Sequence, residues 1–229
     1  MDLVKARKIL KIKDELPEKL LEICEAIWIY QGKPGEPHAL LTSGKHSDGY
    51  INLNAVLQFP NLCEILARKS IEKLKKEGID LEKIDVIASS SYAAIALGQE
   101  VARQLRAIFV FTEKEQKEQR WSGRFEIPSG STILQVEELI TTLGTTRKVK
   151  KAILAQNPNV NFLEKEGKTI VATIVHRPEK LPKTYSDYHV IALIEKEIHV
   201  WESNECPLCK KGSQVLKAKP NWERFIKHQ

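Results

Sequence analysis

The sequence predicts an α/β fold with a mainly parallel central sheet flanked by helices. Short apolar runs recur at 84–88 (IDVIA), 107–111 (AIFVF), 132–136 (TILQV), 169–175 (TIVATIV) and 189–194 (HVIALI). Their length and β-branched content suit strands buried on both faces. Helical patterns at 93–105 (AAIALGQEVARQL) and 145–155 (TTRKVKKAILA) stand between them. The order strand, helix, strand, loop, strand, helix, strand needs crossovers, and crossovers join parallel neighbours. Ligands of such sheets gather beyond the carboxyl ends of the strands.

Before the first of these strands, residues 15–32 (ELPEKLLEICEAIWIYQG) place apolar side chains at 16, 20, 21, 23, 24, 27 and 28. This spacing predicts one amphipathic helix stopped by Gly32, with Trp28 in the core. A loop with two prolines follows (KPGEP), and TSGKHSDG has turn chemistry. Residues 61–77 predict a second helix, with Leu62, Ile65, Leu66, Ile71 and Leu74 inward and Gly78 at its end. Residues 112–131 (TEKEQKEQRWSGRFEIPSGS) are polar and without a period. A loop of that length in a compact domain is a lid or binding loop, or else a surface hairpin. Trp121 within it either covers a ligand or packs at the base of the loop.

The 229 residues suit one compact domain, and 42% hydrophobic with 29% charged residues fits a globular chain. No apolar run approaches the ~18–20 residues that span a bilayer. The charged N-terminus lacks the apolar core of a secretory signal, so a cytoplasmic location is expected and a membrane partner is not. The net charge of +6 comes from lysines interspersed with glutamates, as in IEKLKKEG. That pattern describes solvated helix faces, and nucleic acid is not an expected partner.

The stretch from Ile133 to Thr146, ILQVEELITTLGTT, carries the chemistry. Glu137 and Glu138 fall where a strand leaves the sheet. Thr141, Thr142, Gly144, Thr145 and Thr146 then lead into a helix, whose N-terminus offers free N–H groups to a phosphate. The carboxylates suit sugar hydroxyls or a divalent cation held with them. The stretch therefore reads as a site for a phosphorylated sugar; a plain strand-to-helix turn with a capping threonine is the other reading.

ILQVEELITTLGTT resembles the phosphoribosyl pyrophosphate motif of the type I phosphoribosyltransferases, and the best match among them is the orotate phosphoribosyltransferase family. PHALLTSGKHSDGYINLNAVLQFP resembles that family's N-terminal signature. FTEKEQKEQ resembles its catalytic hood loop, IVHR the strand end with a base-binding arginine, and ECPLCKKG a C-terminal Cys-Pro-Leu-Cys knuckle. The matches keep the family's order over roughly residues 15–215. The resemblance implies the type I phosphoribosyltransferase fold with a small hood from the N- and C-terminal segments: a single domain over 1–229, hood about 1–60 and 176–229, core about 61–175.

It further implies transfer of ribose 5-phosphate from phosphoribosyl pyrophosphate to a pyrimidine base, orotate, with Mg²⁺ and through a transition state with oxocarbenium character. Catalysis of that kind is mainly positioning and electrostatics. The resemblance places Glu137 and Glu138 on the ribose hydroxyls or Mg²⁺, and Thr141, Thr142, Gly144 and Thr145 around the 5-phosphate. Lys114 and Lys117 fall on hood-loop lysines, with Lys117 the better candidate for the catalytic cation. Arg177 falls on the arginine that grips orotate. Tyr50 and the 43–47 turn face base and pyrophosphate, with Lys45 as a phosphate contact. His46 either touches ligand or stabilises its turn. A hood that closes over a neighbouring subunit implies a homodimer.

Several positions depart from the family pattern. Leu143-Gly144 replaces Gly-Gly, and a leucine there opposes both close approach to a phosphate and a positive φ. The acid pair is Glu-Glu. The pyrophosphate turn is SSSYAA (89–94), with alanines where the helix entry has glycines. Glu113, with Glu118, is expected to repel pyrophosphate; Gln119 stands for a histidine, and His176 for an acid. Two readings stay open: an active transferase, or an impaired paralogue that binds a nucleotide or phosphoribosyl pyrophosphate as a regulator or partner subunit. Cys206 and Cys209 have the spacing of half a zinc site. With no second pair nearby in sequence, closure requires Cys24, Cys63, His199 or a partner chain, so a reduced knuckle is expected rather than zinc.

Overall fold

The computed structural model describes residues 2–116 and 118–227. The chain opens with helices α1 (Leu3–Ile9) and α2 (Pro17–Ile23), followed by strands β1 (Ile27–Ile29), β2 (His38–Leu40), β3 (His46–Ser47) and β4 (Gly49–Ile51). The helix expected over 15–32 therefore ends at Ile23. Glu25 takes a left-handed φ of 50°, which breaks the helix, and the β-branched run after it pairs Trp28 with Tyr50. Apolar residues 27 and 28 fit a helical stripe by spacing alone. Their partner strand lies more than twenty residues on, where periodicity does not reach.

Helices α3 (Asn54–Leu57) and α4 (Pro60–Lys76) come next. Proline at the first position suits α4, because its missing N–H is not needed there. Gly78, at φ 75°, closes the helix while Ile79 N–H reaches back to Leu74 O at 3.1 Å. The alternating part follows: β5 (Val86–Ser90), α5 (Ile95–Leu105), β6 (Ile108–Glu115), β7 (Glu118–Arg120), β8 (Thr132–Ile140), α6 (Gly144–Gln156), β9 (Asn161–Phe162), β10 (Glu164–Lys165), β11 (Lys168–His176) and β12 (Tyr188–Glu195).

Strands β6, β5, β8, β11 and β12 lie side by side and parallel, in that order. β7 adds an antiparallel edge to β6, and the short β10 pairs antiparallel with the start of β11. β8 outruns its expected 132–136 because β11 continues to pair with it, with Thr173 opposite Glu137 and His176 opposite Ile140. Both acids are thus strand residues. Likewise β6 runs past Phe111 and folds back on β7, so the first part of the 112–131 segment is a hairpin.

Alternate residues of each strand face opposite layers. Ile87 and Leu134 join Leu62 and Leu66 of α4 and Leu97 and Val101 of α5 in one core; Val86, Val110 and Ile133 join Val149 and Ile153 of α6 in the other. Burying each such side chain contributes roughly 1.5–3 kcal/mol. Gly98 lets α5 lie close on the sheet: a Cβ there would come within 2.6 Å of the Phe109 ring.

The chain ends with β13 (Val200–Trp201), α7 (Pro207–Lys210), β14 (Val215–Lys217) and α8 (Trp222–Ile226). A second sheet in the order β13-β3-β2-β14 joins both ends of the chain. Trp28 is fully buried beneath it, edge-on to Phe225 at 4.7 Å. Among the described residues no helix is long and apolar enough to cross a membrane.

Candidate active site

The chain steps from β5 outward to β6, then returns across β5 to place β8 on its other side. The carboxyl ends of β5 and β8 diverge at this reversal, where open α/β sheets leave a crevice. Here it is a cleft of about 1030 Å³. Ser90, the last residue of β5, donates its hydroxyl to Glu137 Oε2 at 2.5 Å, while Glu137 Oε1 has no hydrogen-bond partner among the described residues. Burial pushes the Glu137 carboxyl up to about 8; the nearby Glu138 adds to this and the Ser90 hydrogen bond opposes it. Burial also raises Glu138. A buried carboxylate oxygen without a partner is costly, so Oε1 is a place for a ligand hydroxyl or a cation. This all-oxygen pair fits Mg²⁺, a hard cation.

The loop from Thr141 to Thr145 lines the same cleft and ends on α6. Leu143 takes the positive φ that the sequence reading held against it, at 62°. Its side chain is buried against Ile140, Val171 and Tyr188, and Leu143 also counts among the residues that line the cleft. The expectation that a leucine opposes a positive φ here is corrected, and the bulk of the side chain lies within a buried apolar cluster. As the N-cap, Leu143 offers no side-chain acceptor to α6. The first N–H groups of the helix have no intrahelical partner and remain available to an anion.

A set of polar anchors holds this loop. Tyr185 donates to Thr141 O at 3.2 Å, and its hydroxyl lies 3.1 Å from His176 Nε2. His176 Nδ1 faces Glu195 at 3.1 Å. Gln135, fully buried, donates to Thr146 O at 2.9 Å and accepts from the Tyr188 hydroxyl at 2.9 Å. Arg147 clamps Asp187 with two hydrogen bonds, at 2.7 and 2.8 Å. His176 therefore supports the 141–146 loop through Tyr185, at a position where the family pattern has an acid.

Lys114 lines the cleft from the β6–β7 hairpin; Lys117 lies outside the described residues. Glu113 pairs with Arg124 at 3.0 Å and Glu118 with Lys148 at 2.8 Å. The expected repulsion of pyrophosphate is therefore offset by two cations of the chain itself. Trp121 is buried with Val110 and Ile133, so it packs rather than covers a ligand. At the start of α5, Ala94 has an ordinary φ of −81°, which demands no glycine.

Tyr50 borders a second hollow of about 380 Å³, and Lys219 borders both this hollow and the main cleft. Arg177 is half-buried, and its backbone N–H reaches Ile140 O at 2.8 Å. Burial lowers its guanidinium, and Tyr50 and Asp48 offset part of that effect. Lys45 is exposed, pairs with Glu202 at 2.7 Å and borders neither hollow. The fold thus gathers Lys114, Glu137, Glu138, Thr141, Thr142, Gly144 and Thr145 at one cleft, with Tyr50 at its neighbour.

Sequence reasoning missed Ser90 and Lys219. Ser90 sits in SSSYAA, where the matched motif has glycine and proline, and Lys219 belongs to a tail without a motif. It also missed the partners of the cysteine knuckle. His38 and His46, on β2 and β3, bring their ring nitrogens to the Cys206 and Cys209 sulfurs, and all four ligand atoms lie within 4.8 Å of one another. The expectation that closure needs Cys24, Cys63, His199 or a partner chain is corrected: strand pairing supplies both histidines.

No protein-family profile matches the chain. It is 33% identical over 201 residues to the orotate phosphoribosyltransferase of Caldanaerobacter subterraneus subsp. tengcongensis, covering 87% of this chain and 95% of that one. In fold it is similar to Aeropyrum pernix orotate phosphoribosyltransferase, with a TM-score of 0.55 at 14% identity, covering 77% of this chain and 92% of that one. It is similar also to Leishmania donovani UMP synthase, with a TM-score of 0.56 at 16% identity; the match covers 93% of this chain and 41% of that longer one.

Proposed function

The chain belongs to the orotate phosphoribosyltransferase family, and we propose that it transfers ribose 5-phosphate from phosphoribosyl pyrophosphate to orotate in the cleft between β5 and β8. One observation carries this reading. Glu137, Glu138 and the uncapped N-terminus of α6 line one cleft, with the side chain of Leu143 packed among Ile140, Val171 and Tyr188. A sugar bearing hydroxyls at one end and a phosphate at the other matches both.

In the reaction the bond from the anomeric carbon to pyrophosphate breaks as a ring nitrogen of orotate bonds to that carbon. Glu137 and Glu138 accept the ribose hydroxyls, or hold Mg²⁺ together with them. Thr141, Thr142, Gly144 and Thr145 hold the 5-phosphate and fix the sugar's position. Mg²⁺, when bound, neutralises charge on the pyrophosphate. Lys114, with Lys117, places a cation where negative charge builds on the leaving group. Arg177 and Tyr50 hold the base, and Lys219 faces it from the C-terminal segment. The chain works in the cytoplasm as a homodimer, and the terminal segments form the hood.

The reading as an impaired regulator rested on Leu143, on the SSSYAA turn and on the lid acids. With the leucine packed inward and Glu113 and Glu118 paired, no observation in the cleft favours it. The test is an assay of orotidine 5′-phosphate formation from orotate, phosphoribosyl pyrophosphate and Mg²⁺. Product and pyrophosphate are expected in equal amounts; absence of turnover at micromolar enzyme, with substrate bound, rejects the reading.

A further inference from the structure

We propose that His38, His46, Cys206 and Cys209 form a structural zinc site, separate from the catalytic cleft, that fastens the C-terminal segment to the β2–β3 hairpin. The four atoms already stand at the corners of a metal-sized tetrahedron. His38 Nε2 lies 3.1 Å from His46 Nδ1 and 3.5 Å from each of the Cys206 and Cys209 sulfurs. The Cys209 sulfur lies 3.3 Å from His46 Nδ1. Tetrahedral zinc bonded to nitrogen at about 2.05 Å and sulfur at about 2.3 Å sets edges of about 3.3 Å (N–N) and 3.6 Å (N–S).

The surroundings are built for ligation. His38, His46 and Cys206 are buried, and both cysteines are free thiols. Cys206 caps α7, with Pro207 at its first position; Gly212, at φ 77°, turns the chain so that its N–H reaches Cys209 O at 2.9 Å. This knuckle also delivers Ser213, whose hydroxyl donates to Glu36 O at 2.8 Å and lies 3.1 Å from His38 Nδ1. With its own proton engaged, the Ser213 oxygen accepts from His38 Nδ1–H. That fixes the tautomer in which Nε2 presents a lone pair to the centre, as an outer partner of a metal-bound histidine does. Two thiolates and two imidazoles suit a borderline-soft divalent ion. Four protein ligands leave no open position, so the ion is structural. Its consequence follows from the register: β14 pairs with β2 just beyond the knuckle, and Lys219 borders the cleft two residues after β14.

The test is metal analysis of the full-length protein purified in reducing buffer without chelator. One zinc per chain is expected. Replacement by Co²⁺ should give the visible bands of a tetrahedral centre and a thiolate charge-transfer band in the near ultraviolet. Cys206→Ser with Cys209→Ser should abolish both signals, whereas Cys24→Ser leaves them intact. Ser213→Ala, which leaves all four ligands in place, should weaken zinc affinity by roughly 10–100-fold. Failure of the reduced wild-type protein to take up stoichiometric zinc or cobalt, or stoichiometric zinc that persists in the double cysteine variant, overturns the proposal.

Discussion

Ser90 hands its hydroxyl hydrogen to Glu137 across the divergence of β5 and β8, and only one of the two carboxylate oxygens is thereby satisfied. The pair holds the acid in a fixed direction at the edge of the cleft that Glu137 and Glu138 line. Glu137→Gln keeps the shape and an acceptor for Ser90 but cannot ionise when ribose hydroxyls or a cation bind. A hydrogen bond to a charged group contributes roughly 1.5–3 kcal/mol. Steady-state kinetics should therefore show kcat/KM for phosphoribosyl pyrophosphate reduced by about 10–150-fold, with the fold unchanged by circular dichroism. A variant within twofold of wild type would remove Glu137 from the site.

The same burial makes the ligand-free protein sensitive to pH. The Glu137 carboxyl titrates near 4.5 in its ordinary state and at about 8 when folded. Between those values folding takes up a proton, so stability is full below the window, falls as pH rises through it, and levels off above it. The range is on the order of 3–5 kcal/mol. Thermal melts of wild type should lose stability from pH 5 to 8, and Glu137→Gln should flatten that part of the slope. Parallel curves for the two proteins would contradict the burial effect.

The loop from Thr141 to Thr146 depends on groups behind it. Tyr188→Phe removes the donor to the fully buried Gln135 Oε1, which in turn positions the Gln135 amide on Thr146 O. An unsatisfied buried acceptor costs about 1–3 kcal/mol. Urea unfolding should show that loss, together with a raised KM for phosphoribosyl pyrophosphate. A loss of stability without change in KM would mean that the network supports the core and not the loop.

Lys219 reaches the cleft only because β14 pairs with β2. It is exposed and has no ion pair among the described residues, so Lys219→Ala should leave stability within about 0.5 kcal/mol. Its loss should raise KM for orotate by roughly tenfold or more, a charge-assisted contact being worth about 1.5–3 kcal/mol. The salt dependence of KM should fall as well. An unchanged KM would place Lys219 at the rim without a role.

The parallel core was legible because buried strands announce themselves locally. IDVIA, TILQV and TIVATIV carry β-branched residues in runs too short for helices, and each lies in or overlaps a strand of the sheet. Glu137 and Glu138 were legible as site residues because charge at the end of such a run has few structural uses. What was hidden depends on pairing between distant segments. Trp28 is a strand residue only because Tyr50 stands opposite it, and β8 extends through the acids only because β11 does. His38 and Cys206 are 168 residues apart, and no spacing rule joins them. Leu143 was misjudged for a related reason: its identity shows bulk, but only the loop's backbone shows where that bulk points.

Leu143 gives the sharpest test of that difference. Its φ of 62° suits glycine and costs a non-glycine residue roughly 1–2 kcal/mol. Its side chain, 2% exposed against Val171 and Tyr188, returns more than this. Emptying such a site costs about 2–5 kcal/mol. Leu143→Gly restores the family's Gly-Gly, yet it should lower stability by about 1–3 kcal/mol, because relief of the backbone offsets only part of the lost packing. Activity should not improve, since the side chain packs into the buried cluster with Val171 and Tyr188. If the leucine instead obstructed the anion, Leu143→Gly would tighten phosphoribosyl pyrophosphate binding by tenfold or more. Calorimetric binding alongside urea unfolding of the two proteins separates these outcomes.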